Sequence, residues 1–436
     1  MRGATPLPPR YLTAVEHQPI PVQELESAEA LSFAEAENLE RLAGMRPGFC
    51  ERSHRSVKLA HYCGLVTTGH RVLEILPKID SLSTPDSCRG LLLRLLRKTS
   101  EFPIFRHLPV GQQLRHAPLI EVFISAFFDA TTQVVRGGLL RQYREHEEDL
   151  AVIRGRILSA RQFAIHSNRP DRIACRFDEL TPDNVWNRLV KAALHAVRPW
   201  IRRAELSRRW VELAAVFEEV DDSQVGARDL DGLVFDRHAV RYRTVVDWVR
   251  WILALLSPKL RAGKDTSPAL LFDINLLFQS AVAEHCRREA SRHSDVQVHS
   301  QETTAHLATL VRGGGRREFD LRPDLILRRN DEIVLVADTK WKRLEIRGSG
   351  HIVPNTADVY QLHAYGAALK CKHLALIYPW HPGLRGSKET AFELPRVGDS
   401  QPLLSVVCLD LESDEFKMMR GLSVPWLATI LGTVNS

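Results

Sequence analysis

The chain has 436 residues, of which 44% are hydrophobic and 26% are charged, a composition typical of a globular protein with two or three domains. Its formal charge of +6 permits an anionic partner such as nucleic acid but does not require one. The seven cysteines form no C-x-x-C pair and no metal-ligand spacing, which argues against a zinc module and a disulfide framework. No stretch is apolar and long enough for a signal peptide or a membrane span, so we expect a cytoplasmic protein with no membrane partner.

The first two segments differ in their patterns. Residues 1–110 predict a small α+β module, with two strands around Thr68 and a helix in CRGLLLRLLRK, whose arginines lie between leucines. Residues 111–265 predict a mainly helical domain, since apolar residues recur there at helical spacing. A break rich in proline, glycine and charge, SPKLRAGKDTSP, ends this segment.

Residues 266–436 alternate between helical and extended patterns, which predicts an α/β domain with a mixed central sheet. A helix is expected from about Ala269 to Arg288 and another over roughly 356–370. Strands are expected over 305–312, 318–329 and 332–340, and later in HLALIYP and LLSVVCLDL. The whole chain is therefore predicted to be a multidomain α/β and α+β protein.

The stretch LRPDLILRRNDEIVLVADTKWK places charged side chains at the ends of two apolar runs. Residues two apart in a strand share a face, so Asp338 and Lys340 are expected to project together while Thr339 points the other way. Asp324 lies opposite them if the runs form a hairpin through the turn at Asn330. Two interpretations stay open. Either the three charged side chains form ion pairs with one another, with Arg322 balancing the extra carboxylate, or they bind a ligand.

If the charged residues bind a ligand, a divalent metal ion is the one that suits them. Two carboxylates that converge from neighbouring strands suit Mg²⁺, which prefers oxygen ligands. Such a site, with a lysine beside it, is suited to phosphodiester hydrolysis. In the helix DVYQLHAYGAALK, Gln361 and Tyr365 are four apart and share a face. Together with the order of helices and strands, these residues resemble the PD-(D/E)xK nuclease core, in which a Q-x-x-x-Y helix lines the DNA side of the site.

Several cations near this stretch are candidates for DNA contacts. Arg316 and Arg317 belong to VRGGGRREF, which predicts a flexible basic hairpin turn near DNA. Lys342 is a further candidate for a phosphate contact, and Arg322 is expected either to neutralise Asp324 or to bind a phosphate. The arginines of CRGLLLRLLRK either face a nucleotide-hydrolysing partner or pair within the fold.

Blocks along most of the chain resemble the McrC family, the nuclease subunit of the McrBC restriction system. They include EILPKID, GLLRQYREHEEDLAVIRGRI, CRFDELTPDNVWNRLVKAAL, LLFDINLLFQ, RPDLIL and DTKWK, in the family's order. The resemblance implies a partner, an McrB-like AAA+ GTPase hexamer whose GTP hydrolysis this chain would stimulate, and a substrate, double-stranded DNA with modified cytosine. It also implies that residues before about 265, including the module over 1–110, contact the partner. GTP is expected to bind that partner, because this chain has no G-x-x-x-x-G-K-[ST] motif.

By the same resemblance, Asp324 and Asp338 are expected to bind Mg²⁺ together with the backbone carbonyl of Thr339. Lys340 is the expected catalytic lysine, with catalytic support from Gln361 and Tyr365.

The chain departs from the family pattern at Gln279, where such nucleases often carry a glutamate in the first helix. A neutral amide lowers the negative charge available to a metal. Two alternatives to an active subunit therefore stay open: a regulatory, GTPase-activating subunit with a degenerate nuclease domain, and a stand-alone DNA repair nuclease.

Overall fold

The computed structural model describes residues 11–24, 27, 29–68, 71–79, 84–108, 116–169, 171–222, 225–256, 269–292, 294–302, 305–311, 317–347, 350–388, 390–396, 401–412 and 417–418. The chain forms two compact units. Unit 1 combines residues 1–119 with 271–436, and unit 2 comprises 120–270. The predicted module over 1–110 thus shares one unit with nearly all of the predicted domain over 266–436. The separate functions of the three segments stay predictions.

The N-terminal part of unit 1 contains two sheets with strand orders β1-β7-β6-β11 and β3-β2-β5-β4. The two strands predicted around Thr68 are β6 and β7, which pair antiparallel. The elements are β1 Tyr11–Val15, β2 Pro19–Gln23, β3 Leu31–Ser32, α1 Phe33–Ala43, β4 Cys50–Arg52, β5 Ser56–Leu59, β6 Tyr62–Thr68, β7 Arg71–Leu76, α2 Pro85–Lys98 and a 3-10 turn at Pro103–His107.

A buried ion pair joins β7 to α2. Arg89 donates from Nε and Nη2 to the two carboxylate oxygens of Glu74, each at 2.7 Å. The same carboxylate accepts from Thr13 Oγ1 and from the backbone N–H of Leu119. Because bidentate pairing and these further donors satisfy the buried charges, Arg89 acts within the fold.

Unit 2 contains most of the predicted helices and also a three-stranded sheet, β8-β10-β9, that the sequence did not predict. β8 is polar on both faces, so it lacks the alternation that marks a half-buried strand. Its pairing with β10 is supported by cross-strand charges such as Arg176 with Glu147. The elements are α3 Leu119–Arg136, β8 Gln142–Leu150, β9 Arg156–Ile157, α4 Ser159–Ile165, β10 Ile173–Thr181, α5 Val185–Val197, α6 Ala204–Val216, α7 Ala227–Asp231 and α8 Arg243–Leu256, with 3-10 turns at Arg198–Trp200 and Val240–Tyr242.

The C-terminal part of unit 1 corrects two predicted boundaries. The helix expected from Ala269 begins only at Ile274, because the apolar run before it forms β11 beside β6, and Asp273 caps the helix. The strand expected over 318–329 is two strands separated at Pro323, which has no N–H for a ladder. The elements are β11 Ala269–Asp273, α9 Ile274–Ala290, β12 Val296–His299, β13 Ala305–Thr309, β14 Arg317–Leu321, β15 Leu325–Arg329, β16 Glu332–Thr339, α10 Thr356–Leu369, β17 His373–Pro379, a 3-10 turn at Pro382–Leu384, β18 Ala391–Glu393, β19 Leu403–Asp410 and β20 Lys417–Met418.

The central sheet of this part is mixed, as predicted, with the order β12-β15-β16-β17-β19-β18. β12, β15 and β16 pair antiparallel, whereas β16, β17 and β19 run parallel. A parallel pair needs a crossover, and α10 provides it between β16 and β17. Its buried residues Leu362 and Tyr365 pack with Leu374 and Leu376 of β17, so one face of α10 is fixed against the strands that carry the charged residues.

Within the described ranges, no helix combines the length and apolar character needed to cross a membrane.

Candidate active site

The β15–β16 hairpin forms as the sequence predicts. Asn330 and Asp331 have φ values of 49° and 66°, the left-handed conformation that tight hairpin turns require. Leu325 pairs with Ala337 in the antiparallel register. Continuing that register by one residue sets Asp324 opposite Asp338.

Asp324 is held by three donors. Its Oδ2 accepts from the backbone N–H and from Oγ1 of Thr339, both at 2.7 Å, and its Oδ1 accepts from Nε2 of Gln279 at 2.7 Å. The sequence pattern predicted only that Thr339 points away from Asp338 and Lys340, and it did not predict this contact between the Thr339 hydroxyl and Asp324. The predicted role of the Thr339 carbonyl as a metal ligand stays a prediction.

Asp338 and Lys340 form an ion pair on one side of β16. Lys340 Nζ lies 2.7 Å from Oδ2 of Asp338, and Asp338 is only 2% exposed. The pKa of Asp338 is raised to about 6, chiefly by burial and then by the Asp324 carboxylate, while Lys340 acts in the opposite direction. Burial also raises the pKa of Asp324, against the hydrogen bonds from Thr339.

Lys340 stays protonated at neutral pH. Burial alone lowers its pKa, but the carboxylates of Asp338, Asp358 and Asp324 outweigh burial and raise it. The result is a cation fixed beside two carboxylates whose own ionisation is disfavoured.

The predicted glutamine and tyrosine of α10 reach this cluster. Lys340 Nζ donates to Oε1 of Gln361 at 3.0 Å, and Gln361 Nε2 donates to the Tyr365 hydroxyl at 2.9 Å. Tyr365 is buried in the core between α10 and the sheet. A chain of contacts therefore runs from the core through Tyr365 and Gln361 to the ammonium of Lys340.

A second ion pair, between Lys342 and Asp358 of α10, was not predicted. Lys342 Nζ lies 2.8 and 3.1 Å from the two carboxylate oxygens of Asp358, which also accepts from the hydroxyl of Tyr378 at 3.3 Å. Burial raises the pKa of Tyr378, and the Asp358 carboxylate raises it further. Asp358 lies three residues before Gln361 and therefore on the same face of the helix, so the helical spacing could have predicted its place near the site. The position of Lys342 in the sequence gave no indication of this pair.

Gln279 has its own partner. Gln301 Nε2 donates to Gln279 Oε1 at 2.8 Å, which leaves the amide nitrogen of Gln279 facing Asp324. Gln301 adopts a positive φ of 57° before β13. No pattern in the residues around Gln301 predicts its contact with Gln279.

The arginines predicted to contact DNA differ in what the structure describes of them. Arg317 is exposed at the start of β14, Arg322 is exposed beside Asp320 at 3.4 Å, and Arg316 lies outside the described residues. Of the arginines in the leucine-rich helix α2, Arg94 is buried and donates to the carbonyl of Leu411 at 2.9 Å. Like Arg89, it serves the fold.

Within the described parts of the chain, no three His, Cys, Asp or Glu side chains converge as a metal cluster. Asp324 and Asp338 are the two carboxylates that the hairpin brings together, and a cation held by them would draw its other ligands from backbone, water or substrate. That is the usual situation for Mg²⁺ and an unusual one for a zinc site.

Comparisons with known proteins give one matching family and similar solved structures. A model described as McrBC 5-methylcytosine restriction system component matches residues 57–379. A chain from the refined half-complex of the tetradecameric assembly of Thermococcus gammatolerans McrB AAA+ hexamers with bound McrC is 14% identical, with a TM-score of 0.66, and the match covers 97% of this chain and 99% of that chain. A chain from the cryo-EM structure of the T. gammatolerans McrBC complex is 19% identical, with a TM-score of 0.46, over 64% of this chain and 87% of that chain. No curated protein matches.

Fold and site together define a class: a mixed α/β protein with a paired aspartate and lysine cluster at the end of a central strand. The family match spans most of the chain, and the chain belongs to the McrBC 5-methylcytosine restriction system component family. The McrC-family resemblance of the sequence blocks is thereby confirmed. The T. gammatolerans chain at 14% identity shows a shared fold.

Proposed function

We propose that this chain is the Mg²⁺-dependent DNA endonuclease subunit of a GTP-driven restriction complex directed at modified cytosine. The observation that carries the proposal is the convergence of Asp324, Asp338 and Lys340 at the end of the β15–β16 hairpin. The succession of α9, the antiparallel strands β12, β15 and β16, the crossover helix α10 and the parallel strand β17 supports a PD-(D/E)xK, restriction-endonuclease-like domain.

The residues present fit a hard divalent cation. Asp324 and Asp338 offer two neighbouring carboxylates, and the raised pKa of each reflects burial of negative charge that a cation would compensate. These two side chains, with the backbone carbonyl of Thr339, would hold the ion. When bound, Mg²⁺ polarises the phosphodiester and lowers the pKa of a bound water.

Lys340 supplies positive charge of its own. Its ammonium is protonated and held between Asp338 and Gln361, so it acts as a donor and not as a base. A donor in this position stabilises negative charge that develops on the phosphate oxygens during attack by water. Tyr365 fixes Gln361, and Gln361 limits the positions open to the lysine, so both residues position the catalytic group.

The partner and substrate follow from the relatives. The T. gammatolerans structure is described as McrB AAA+ hexamers with bound McrC, and the family is described as a 5-methylcytosine restriction component. We therefore assign this chain an McrB-like AAA+ GTPase hexamer as partner, and double-stranded DNA containing modified cytosine as substrate. GTP binds the partner, because the sequence of this chain lacks the phosphate-binding loop motif.

Reconstitution tests the proposal. The full-length chain, its partner GTPase, GTP and a duplex containing 5-methylcytosine are combined with and without Mg²⁺. Cutting is expected only when Mg²⁺ and GTP are both present, and Asp338→Asn and Lys340→Ala are each expected to reduce it on the order of 100-fold or more. Glu332→Gln, at the exposed start of β16, is the matched control. Wild-type cutting rates in both cluster variants would reject the site.

One observation favours a second function, that of a regulatory subunit with a degenerate nuclease domain. The amide of Gln279 donates to Asp324, which occupies an oxygen that a metal would otherwise use. A degenerate site predicts no Mg²⁺ binding that depends on Asp338. Calorimetric titration of Mg²⁺ into wild type and Asp338→Asn separates the two functions, since only the active subunit should lose binding on substitution.

A further inference from the structure

A cavity of about 380 Å³ lies directly beyond the candidate catalytic lysine in the chain. Trp341, Lys342 and Arg343, which follow Lys340, line one side of it, and Lys78 and Ile79 from the N-terminal part of unit 1 line another. Two residues of extended chain span at most about 7 Å. The cavity therefore begins close to the backbone of Lys340.

Its lining combines cations with apolar walls. Lys78 is exposed, and its ammonium makes no hydrogen bond or ion pair with another residue in the described ranges. Lys342 pairs with Asp358 but remains half exposed, and Arg343 is exposed. Ile79 is buried and the indole of Trp341 partly so. Such a lining suits a ligand with an anionic part and a flat, weakly polar part.

Trp341 is held in place by its neighbours. Its ring packs edge to face against Phe278 of α9, with centroids 5.4 Å apart. An aromatic wall that is already ordered loses little entropy when a ring stacks on it.

His381 provides a polar group on the same lining. It is 4% exposed, and its Nε2 lies 3.0 Å from the carbonyl of Leu344. Its Nδ1 is buried without a hydrogen-bond partner among the described residues. A buried polar atom without a partner costs about 1–3 kcal/mol, and the ring that carries this atom belongs to the lining of the cavity.

We propose that this cavity binds one deoxynucleotide of the DNA strand next to the bond that is cut, with its phosphate on Lys78 and Arg343 and its base against Trp341 and Ile79. The volume is within the range of small-ligand sites. A base that enters the cavity leaves its place in the duplex, as in base flipping, and then stacks on the aromatic ring as bases do in single-strand binding. The inference rests on the proposed function and adds to it: the N-terminal residues Lys78 and Ile79 position the substrate.

The direct test measures binding without cleavage. Deoxyadenosine 5′-monophosphate is titrated into the full-length chain and followed by ligand-observed NMR, with deoxyadenosine and deoxyribose 5-phosphate as partial ligands. The whole nucleotide is expected to bind at least tenfold more tightly than either part. Lys78→Ala is expected to weaken nucleotide binding about tenfold and to leave deoxyadenosine binding unchanged. Lys58→Ala, another exposed lysine of the N-terminal part, is the matched control.

A second variant blocks the cavity without removing a charge. Ile79→Trp places a large side chain in the cavity and is expected to abolish binding of nucleotide and nucleoside alike, with circular dichroism as the check on folding. Equal binding of nucleotide by wild type, Lys78→Ala and Ile79→Trp would overturn the proposal, as would the absence of nucleotide binding by the wild type.

Cleavage kinetics of the complete complex separate this inference from the proposed function. Lys78→Ala is expected to raise KM for DNA about tenfold with a smaller change in kcat, because it removes a binding contact and not a reacting group. Nucleotide binding without any cleavage would reject the proposed function and keep the cavity as a nucleotide site. Cleavage with KM unchanged in Lys78→Ala would keep the function and reject the cavity as a substrate site.

Discussion

At the scale of single residues, Asp338 links function to stability. Its pKa is raised from the ordinary 3.8 to about 6, chiefly by burial. Between about pH 4 and pH 6 the folded chain therefore binds more protons at this carboxyl than the unfolded chain does. Stability falls as pH rises through that window, and the loss is complete above it. Ionised Asp338 thus costs the fold about 3 kcal/mol at neutral pH, a cost that a bound cation would offset.

The first prediction follows from the direction of this pKa shift. Asp338→Asn keeps the shape of the side chain and removes the ionised form, so it is expected to stabilise unit 1 by about 1–3 kcal/mol at pH 7.5 without metal. The gain should shrink at pH 4.5, where the native carboxyl is protonated. Differential scanning calorimetry in EDTA at both pH values measures the change, and Glu332→Gln on the exposed end of β16 serves as the control. Equal or lower stability of Asp338→Asn at pH 7.5 would contradict the raised pKa.

Two lysines at the end of β16 contact different residues of α10. Lys340 contacts both Asp338 and Gln361, while Lys342, two residues later, contacts Asp358. The two lysines thus meet the same helix at positions three residues apart. The spacing of DTKWK agrees with this arrangement, since alternate residues of extended chain project to one side.

At the scale of elements, α10 must lie close to β17 for Gln361 to reach Lys340. A Cβ added at Gly366 would lie 2.8 and 2.9 Å from the two terminal methyl carbons of Leu374. Leu374 is buried in the core of the sheet, so it has little space to move. Glycine at this position therefore sets the distance between helix and sheet.

A second prediction concerns this contact. Gly366→Ala improves helix propensity by about 1 kcal/mol, but overpacking against Leu374 costs about 1–3 kcal/mol. The net effect is expected to be a loss of stability, accompanied by weaker DNA cleavage because Gln361 moves with the helix. Ala368→Gly, on the exposed side of α10, is the control and should lose only the propensity. Calorimetry and cleavage rates check both variants, and a more stable Gly366→Ala would disprove the close packing.

In unit 2, the element scale explains a residue of the family-like blocks. Asn187 on α5 accepts from the Tyr242 hydroxyl at 2.7 Å and donates to the carbonyls of Leu140 and Pro182 at 2.9 and 2.6 Å. It is fully buried. A buried amide with this many partners maintains the fold, so its place in the block has a structural reason.

At the scale of the whole molecule, unit 2 carries a surface of a different kind. Tyr143 on β8, Val152 after it and Phe163 on α4 are 75%, 75% and 77% exposed. Large exposed apolar side chains of this kind are typical of a surface that binds another protein. We propose that this surface contacts the GTPase, because the resemblance to McrC implies that residues before about 265 bind the partner.

The third prediction is a separation of activities. Tyr143→Ser with Phe163→Ser is expected to reduce stimulation of the partner GTPase about tenfold or more, because it removes apolar area from a binding surface. Mg²⁺ binding to unit 1 should be unchanged. Asp338→Asn should do the opposite, with normal GTPase stimulation and cleavage reduced on the order of 100-fold or more. GTP hydrolysis assays and Mg²⁺ titrations on both variants provide the measurement. Loss of both activities in either variant would show that the two functions are not separable.

Much of the candidate site was predictable because it depends on local rules. The spacing of Asp338 and Lys340, the turn at Asn330 and the helical pair Gln361 and Tyr365 each follow from the geometry of one element or one hairpin. The missed features lacked a local pattern. The polar strand β8 has no alternation, and the boundary between β11 and α9 depends on pairing with a strand more than 200 residues earlier.

The sequence by itself determined the β15–β16 hairpin, the crossover helix and the family, because turn residues, periodicity and block order follow from the order of residues along the chain. Only the tertiary structure decided that Thr339 turns to Asp324, that Gln301 orients Gln279, and that Lys78 faces the same cavity as Trp341. Two of these contacts join residues that are far apart in sequence. Their spacing carries no periodic signal, and they arise only when packing brings separate elements together.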